Sequence, residues 1–506
     1  MSRIRMSSRN TAGRRRSIFA PMPNADGAPS RGRGAQIGRP SASRGGNAAA
    51  KRLPRLIVAA IFAFFWLFYD SFAALQVYAA VNAGQPSQNG TAGPSADLQR
   101  LIDQAAEGDI VVVPEGVYAG PIRIAKPIEL RAAADARVTV VNNSEFPALS
   151  IEADDAAAIG LVIEDAGVKE APSVLVTGDR VRLRALRVTT GSDGIKLDGS
   201  DGSEVSDCVV EWGAGEQYTF AQRGNGIDLY QSHGVRIAGN VVRGVFDGIY
   251  MEFSDDTIVT DNHIERSRYG IHCMYTNRTI IRDNTGTMNI TGGMIMAVKG
   301  VELTNNTFTK QNENVNSQGI LLFDAHESVI ADNRVEGNRV GVYVEQSSEN
   351  ELFNNAVVNN FIGIQLIDSS RNAIVGNSFV GNVTDAMARG NSDNDIKSNY
   401  WDSFSGIDLD GDGRSDTTYA INPFFQGLIQ KKPAFQLFFQ APGIAFLESL
   451  YEAGRAGWTT DQAPLMAPPE KWAENPEDAS DVAGWLSIFL VAGAVLIIFV
   501  FRRKIV

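Results

Sequence analysis

The feature that most constrains the fold is a repeat with a step of 22 residues. Asparagine ends successive short apolar segments, and the spacings between these asparagines are 22, 22, 22, 27, 22 and 22 residues. They are Asn240, Asn262, Asn284, Asn306, Asn333, Asn355 and Asn377. A column of glycines that open apolar strands has the same spacings and comprises Gly226, Gly248, Gly270, Gly292, Gly319, Gly341 and Gly363. Because both columns share one insertion, the extra residues form a loop, around Thr309 to Ser317, that does not shift its neighbours.

The step and composition of the repeat indicate the kind of fold. β-Branched triplets separated by Asn and Gly at so short a step exclude pairs of helices and predict short strands stacked in register. Asn tolerates left-handed turn geometry, and its amide can bond to the Asn above and below. We therefore predict an all-β solenoid, a right-handed parallel β-helix with about 22 residues per coil, over residues 96–419.

A stack of coils needs a cover at each end, because the terminal coils would otherwise expose their apolar side chains. At the start, Leu98, Leu101 and Ile102 predict a capping helix that leads to a first strand at Ile110 to Val113. At the far end, residues 420–454 contain apolar segments that predict helices, which close the stack or contact a partner.

The amino-terminal region differs from the rest in charge. Residues 1–55 carry thirteen Arg or Lys and only one acid, whereas the whole chain has a net charge of −12. The Gly- and Ser-rich stretch 1–52 has no hydrophobic period and is predicted to be a disordered cytoplasmic arm. The apolar stretch within 53–83 has a basic flank and is followed by small residues, so it is either a cleaved signal peptide or a signal anchor. Both alternatives send the following residues outward.

The carboxy-terminal region predicts a second membrane element. Residues 484–501 are apolar almost throughout and are followed by a basic tail, 502–506, which is expected in the cytoplasm. A buried core helix is the alternative. The preceding stretch 455–483 is Pro-rich and acidic and is predicted to be an extended linker. The β-helix is therefore expected to be extracytoplasmic and held at the cell membrane.

Strand alternation separates the core from the outer face. After each column glycine, the first and third residues are predicted to point inward and the second and fourth outward. This rule places four candidate copper ligands on one outer patch, namely His272, Met274, Met294 and Met296. Thioethers with an imidazole suit copper, especially Cu(I), better than calcium or zinc. The inference depends on Gly292 as the column residue, because with Gly293 instead the last two methionines would fill the core.

The same face also fits other functions. Lys196, Asp228, Tyr250, Glu252 and His272 are predicted to line a groove. Outward acids with a base are what uronate epimerases, lyases and glycosidases place on β-helices. The alternative without a function is a polar face exposed to solvent. The apolar neighbours Leu321 and Phe323 are better suited to contact with a protein than to contact with a sugar. Beside a copper ion, Tyr250 and Glu252 would tune the patch or orient a partner.

An acidic segment near the end of the predicted solenoid is similar to a calcium-binding loop. Asp408, Asp410 and Asp412 alternate, Gly413 permits a sharp turn, and Asp416 is placed to bind directly or through water. The twelfth position is Tyr419, where such loops have a bidentate Glu. The segment predicts a structural calcium site, with a solvated acidic turn as the alternative.

The two cysteines, Cys208 and Cys273, lie in a region predicted to be exported, where disulfides are permitted. They are far apart along the predicted stack, and each occupies a position where an apolar residue is expected. We predict that they do not pair.

Several segments together resemble a known family. They are the 22-residue coils, RYGIHCMYTN at 268–277, NYWD at 399–402, SGIDLDGDGRSD at 405–416 and KKPAFQLFFQAPGIAFLESLYEA at 431–453. Over residues 96–453 the chain resembles NosD, the exported β-helix component of the nitrous oxide reductase maturation transporter. The long basic arm and the carboxy-terminal apolar segment depart from the usual soluble pattern of that family.

The resemblance implies a function that composition alone does not give. It implies work with an ABC-type ATPase and permease, receipt of copper from a lipoprotein chaperone, and contact with apo nitrous oxide reductase while its copper–sulfide cluster is assembled. It also implies that this chain is not the ATPase, and the sequence contains no phosphate-binding GKS or GKT motif. The interpretation is an accessory protein for copper-centre assembly rather than an enzyme, with a carbohydrate-active enzyme as the alternative.

Overall fold

The computed structural model describes residues 95–312, 314, 316–438, 441–452 and 454–472, all within the compact unit Gln88–Val506. The predicted arm 1–52, signal segment 53–83, membrane helix 484–501 and tail 502–506 lie outside the described residues. Within the described ranges, no helix is both long enough and apolar enough to cross a membrane.

Three parallel sheets run side by side along a β-solenoid of about thirteen turns, and each turn contributes one strand to each sheet. Sheet 1 contains β1 (Ile110–Val113), β4 (Glu129–Ala132), β7 (Ala157–Ile159), β10 (Arg182–Arg184), β13 (Glu204–Ser206), β16 (Arg236–Ala238), β19 (Ile258–Thr260), β22 (Ile280–Arg282), β25 (Glu302–Thr304), β28 (Val329–Ala331), β31 (Glu351–Phe353), β34 (Ala373–Val375) and β37 (Asp395–Lys397). Sheet 2 contains β2 (Gly116–Ala119), β5 (Val138–Val141), β8 (Leu161–Asp165), β11 (Arg187–Thr190), β14 (Val209–Trp212), β17 (Val241–Arg243), β20 (His263–Glu265), β23 (Thr285–Thr287), β26 (Thr307–Thr309), β29 (Arg334–Glu336), β32 (Ala356–Val358), β35 (Ser378–Val380) and β38 (Tyr400–Trp401).

Sheet 3 carries the face on which the sequence places the candidate ligands. It contains β3 (Ile122–Ile124), β6 (Leu149–Ile151), β9 (Val174–Val176), β12 (Ile195–Asp198), β15 (Ile227–Tyr230), β18 (Asp247–Glu252), β21 (Tyr269–Met274), β24 (Thr291–Lys299), β27 (Gln318–His326), β30 (Val340–Glu345), β33 (Ile362–Ile367) and β36 (Thr384–Arg389). Its inward side chains stack on one another in the core: Ile249 and Met251 pair in register with Ile271 and Cys273, and all four are fully buried. The two cysteines are free, as predicted.

A ladder of asparagines runs along the corner between sheets 1 and 2. The backbone N–H and the Nδ2 of Asn240 both donate to Oδ1 of Asn262, each at 2.9 Å, and Asn262 donates to Asn284 in the same way. The left-handed backbone belongs to the residue before each ladder position, such as Asp261 (φ 57) and Asp283 (φ 58). The sequence interpretation that the ladder Asn itself takes the left-handed turn is therefore wrong, because its role is to supply the buried amide.

The ends of the stack are covered as the sequence predicts. Helix α1 (Ser95–Gln104) precedes β1 and buries Leu98 and Ile102. At the other end, Trp401 stacks on Phe379 with ring centroids 4.2 Å apart. Helices α2 (Phe424–Lys431) and α3 (Pro442–Ser449) follow, with 3-10 turns at Pro433–Phe438, Arg455–Gly457 and Glu470–Trp472.

The predicted extended linker is wrong for residues 455–472, which pack on the solenoid. Strands β39 (Tyr419–Ala420) and β40 (Thr460–Asp461) pair antiparallel. The fully buried Asp461 ends the asparagine ladder, because its Oδ2 accepts from the N–H and Nδ2 of Asn399 and from Nε1 of Trp401. Lys471 then pairs with Asp332 at 2.7 Å. The hydrogen bonds of the buried Asp461 and the ion pair of Lys471 hold this segment on the solenoid, although its composition is typical of a free linker.

Candidate functional site

The register of sheet 3 decides where the candidate ligands lie. Tyr250 pairs with His272, and His272 pairs with Met294, on the three neighbouring strands β18, β21 and β24. Met274 pairs with Met296 in the same way. Ile295 between the two methionines of β24 is buried, whereas both methionines are half-buried on the outer side. The predicted strand phase, with Gly292 rather than Gly293 in the column, is confirmed.

His272 is held in one orientation by a buried carboxylate. Its Nδ1 lies 2.8 Å from Oδ2 of Asp247, and the side chains of His272 and Asp247 are only 7% and 1% exposed. Arg268 donates two hydrogen bonds to the same carboxylate, from Nε to Oδ1 at 2.8 Å and from Nη2 to Oδ2 at 2.6 Å. Burial alone would raise the pKa of Asp247, but the hydrogen bonds from His272 and Arg268 outweigh it and lower the pKa. Asp247 is therefore an ionised acceptor.

Aromatic rings surround this group and fix it further. The ring of Tyr250 lies 4.9 Å from the imidazole of His272, and the ring of Tyr269 lies 5.0 Å from it, edge-on. The guanidinium of Arg268 lies 3.7 Å from the ring centre of Phe246 and 4.2 Å from that of Tyr269. Packing against several rings removes rotamer freedom, so the imidazole is preorganised.

The other nitrogen of His272 is the most informative atom of the site. Nε2 is buried, and among the described residues it has no hydrogen-bond partner. Because Asp247 is ionised, Nδ1 is the donor, and in the uncharged ring Nε2 then carries the lone pair. Leaving a buried polar atom unpaired costs about 1–3 kcal/mol. A carboxylate behind one nitrogen and a free lone pair on the other is how metal-binding histidines are oriented.

The donor set around Nε2 fits a soft ion. Neighbouring strands are roughly 4.8 Å apart, and alternate residues along a strand are about 6.6 Å apart. The side chains of Met274, Met294 and Met296 are flexible enough to converge with the imidazole on one ion. Two thioethers with an imidazole select Cu(I) rather than calcium or magnesium. The copper site itself stays a prediction.

The amino-terminal end of the same face is acidic. Asp228, predicted to point outward, is covered and only 5% exposed. It accepts from Nδ2 of Asn225 at 2.6 Å and lies 3.7 Å from Nζ of Lys196. Burial and the nearby Asp193 raise the pKa of Asp228 to about 6. Burial and Glu252 also raise the pKa of the Tyr250 hydroxyl, so Asp228 and Tyr250 both bind their protons more tightly than the same groups do in water.

The acidic loop at 408–416 is formed largely as the sequence suggests. Carboxylate oxygens of Asp408, Asp410 and Asp416 lie within 4.8 Å of one another. Asp412 does not belong to that group, and its Oδ1 accepts from the N–H of Arg414 at 2.8 Å. The N–H groups of Gly411 and Gly413 hold the pKa of Asp408 below its usual range. Three carboxylates are therefore placed for a cation, and the calcium site stays a prediction.

Sequence reasoning missed two features of this face. It did not find Asp247 and Arg268, which hold His272 across coils. It also missed a second insertion, since Cys208 bonds to Asn240, 32 residues further along the chain rather than 22. The extra residues form the loop around Trp212 and Phe220 that leads to β15. The spacing of 32 residues between Cys208 and Asn240 is the sequence signal for this insertion, but the glycine column begins only at Gly226, after the inserted residues.

The chain was compared with known families and structures. Residues 212–427, somewhat less than half of the chain, match the family model described as NosD, periplasmic copper-binding protein. Over these residues the chain is similar to the NosD family. The matched region includes His272, the three methionines of the patch and the acidic loop at 408–416. A comparison with curated proteins finds no match.

Several solved structures are similar to this chain at low identity. The periplasmic alginate epimerase AlgG is 14% identical over 59% of this chain and 82% of its own, with a TM-score of 0.38. The AlgE6 A-module of the Azotobacter vinelandii mannuronan C-5 epimerase is 14% identical over 62% and 90%, with a TM-score of 0.37. The Yersinia enterocolitica family 28 exopolygalacturonase is 10% identical over 62% and 79%, with a TM-score of 0.47. Likeness at this level transfers no activity to this chain.

Proposed function

We propose that this protein is an extracytoplasmic accessory protein that receives and passes on copper. The ion is its cargo, and the binding groups are His272, Met274, Met294 and Met296. The observation that carries the proposal is Nε2 of His272, which is buried and has no hydrogen-bond partner among the described residues, while His272 itself pairs in register with Met294 on the next strand. The family match, whose description names copper and the periplasm, supports the same cargo and compartment.

The geometry favours transient rather than permanent binding. The patch lies on the outer side of sheet 3, and its methionines are half-buried, so a second protein can reach the ion. Thioether ligands are neutral and add no electrostatic attraction to Cu(I), whereas anionic thiolates bind the ion far more tightly. The only thiol nearby, that of Cys273, points into the core, and burial raises its pKa to about 12. The thiolate therefore does not compete for the ion.

The proposal extends to the machinery in which the protein works. It acts with an ABC-type ATPase and permease, takes copper from a lipoprotein chaperone and serves apo nitrous oxide reductase during assembly of its copper–sulfide cluster. The apolar segment 484–501 holds the solenoid at the outer side of the cell membrane with the tail 502–506 in the cytoplasm, and the segment 53–83 is a signal peptide or a signal anchor. The family description supports the outer compartment, whereas the partners and the membrane attachment are proposed from the resemblance of the sequence and its apolar segments.

Cu(I) titration of the purified full-length protein, in competition with a chromogenic chelator under anaerobic conditions, tests the cargo. We expect one tight equivalent per chain and a loss of at least about tenfold in affinity in the double variant His272→Ala with Met294→Leu. The matched control is His263→Ala with Met466→Leu, which removes one histidine on sheet 2 and one methionine in the carboxy-terminal segment. Equal affinity in the wild type, the patch variant and the control contradicts the proposal.

A carbohydrate-active enzyme is the second candidate, and one observation favours it. Asp228, with its raised pKa, lies beside Lys196 and in register with Tyr250, which is a set of groups able to transfer protons. Incubation with polyuronates and acidic glycans tests this function by product analysis. New unsaturated or epimerised sugars that disappear in Asp228→Asn would favour the enzyme, whereas unchanged glycans favour the copper protein.

A further inference from the structure

The copper patch lies within a longer apolar strip on sheet 3. On β21, β24 and β27 the outward positions hold His272 and five residues with apolar or thioether side chains, which are Met274, Met294, Met296, Leu321 and Phe323. Three neighbouring strands make the strip roughly 14 Å long. Apolar strips of this size with a polar border are typical of protein contacts.

The strip has the same border on both sides. On β18, one strand before it, Tyr250 is hydrogen-bonded to Glu252. On β30, one strand after it, the hydroxyl of Tyr343 donates to Oε2 of Glu345 at 2.8 Å. Both tyrosines are half-buried, and each occupies the outward position two residues before its glutamate. A hydroxyl that donates to a carboxylate stabilises its ionised form and fixes its direction.

The basic side chains of this face and its corner are already engaged. Arg268 is bound to Asp247, Lys299 lies 2.6 Å from Glu327, and Arg389 lies 3.4 Å from Asp368. Glu252 and Glu345 take part in none of these pairs, so each places an acidic group on its border. The strip is an apolar centre between two fixed negative charges about 19 Å apart, since four strand spacings separate β18 from β30.

Exposed aromatic rings continue the strip at the corner beyond it. Phe253 and Tyr275 are 42% and 41% exposed, and their rings stack with centroids 5.2 Å apart. Both adopt left-handed backbone (φ 51 and φ 55), where bulky side chains are rare. In the equivalent position other coils have Gln231, Asp324 or Gln346. Strained, exposed aromatic residues beside a metal patch are a feature of binding surfaces rather than of cores.

We infer that this strip is the docking surface for a protein partner whose contact region has an apolar, methionine-containing centre flanked by lysine or arginine side chains. The inference rests on the proposed function and names the partner that the copper patch serves. An ion held by thioethers passes directly from ligand to ligand, so the partner's own ligands must reach Met294 and Met296. Its basic flanks then meet Glu252 on one side and Glu345 on the other.

Two synthetic peptides with the same Met-Gly-Met centre, one flanked by lysines and one by glutamates, serve as probes for the full-length protein in detergent. Their binding is measured by fluorescence anisotropy without copper, at low and at high salt. We expect the lysine-flanked peptide to bind at least about tenfold more tightly at low salt and to lose this advantage at high salt. In Glu252→Gln with Glu345→Gln the preference should vanish.

The matched control is Glu302→Gln with Glu351→Gln, two outward glutamates on sheet 1, and it should keep the preference. Equal binding of the two peptides, a preference for the glutamate-flanked one, or the same loss in the control variant overturns the inference. Because the assay contains no copper, its result is separate from that of the Cu(I) titration. Either the docking surface or the copper site can therefore fail while the other stands.

Discussion

Nδ1 of His272 lies 2.8 Å from Oδ2 of Asp247, and the two side chains belong to neighbouring coils. The contact leaves Nε2 without a hydrogen-bond partner among the described residues. In Asp247→Asn we expect Cu(I) affinity to fall roughly 10- to 100-fold, as for other groups that orient a metal-binding histidine. Chelator competition measures the effect. Asp255→Asn removes the same charge at a nearby corner and should leave the affinity unchanged, and a loss in both variants would contradict a specific role for Asp247.

The strand phase can be tested at two adjacent glycines. A Cβ at Gly292 would lie 2.5 Å from the carbonyl oxygen of Gly319 and 2.6 Å from Cδ1 of Phe308, whereas at Gly293 the nearest atom is 3.4 Å away. Gly292→Ala should lower the free energy of unfolding by about 1–3 kcal/mol, because the close contacts cannot relax easily. Gly293→Ala should be nearly neutral. Urea unfolding of both variants decides this, and the opposite order would place the methionines in the core.

Asp461 accepts three hydrogen bonds that hold the carboxy-terminal segment on the last coil. Asp461→Ala leaves the N–H and Nδ2 of Asn399 and Nε1 of Trp401 without their acceptor, so we expect a loss of about 3 kcal/mol or more in unfolding free energy. Asp461→Asn retains one oxygen and should lose less. Asp395→Ala, at an exposed position on β37, is the control for thermal melting. A loss as small as that of the control would rule out a capping role.

Asp385 should make stability depend on pH. Burial raises its pKa to about 6, and its Oδ1 is buried without a partner among the described residues. A carboxyl whose pKa is higher in the folded state contributes stability that is present below its ordinary pKa and is lost as pH rises to about 6. The wild type should thus lose up to about 3 kcal/mol between pH 4 and pH 7 from this group. Asp385→Asn should lack that component in melts across this range, and an identical pH profile would contradict it.

Calcium is expected to stabilise the loop at 408–416. Addition of a chelator should lower the melting temperature of the wild type and should have less effect in Asp408→Ala, because Asp408 contributes to the carboxylate cluster. Asp412→Ala should respond like the wild type, since Asp412 lies outside the cluster. A melting curve that the chelator does not change would show that the loop is a solvated acidic turn.

Much of the fold could be predicted because a repeat specifies its own neighbours. The step of 22 residues placed His272 beside Met294, and alternation placed both on the outer side, in agreement with the parallel pairing of β21 with β24. The sequence did not determine the role of the ladder asparagines, because asparagine suits both a left-handed turn and a position with a buried amide. Only the backbone angles distinguished the two, and they assign the turn to residues such as Asp261.

The sequence by itself determined the stacking of coils, the core positions and the membership of the methionine patch, since these follow from a constant spacing along the chain. Tertiary structure alone decided that Asp247 and Arg268 hold His272, that Asp228 is buried beside Asn225, and that Asp461 ends the ladder 62 residues beyond Asn399. The physical reason is that periodicity fixes contacts between equivalent positions. Contacts between non-equivalent positions depend on where irregular segments return to the solenoid, which no spacing encodes.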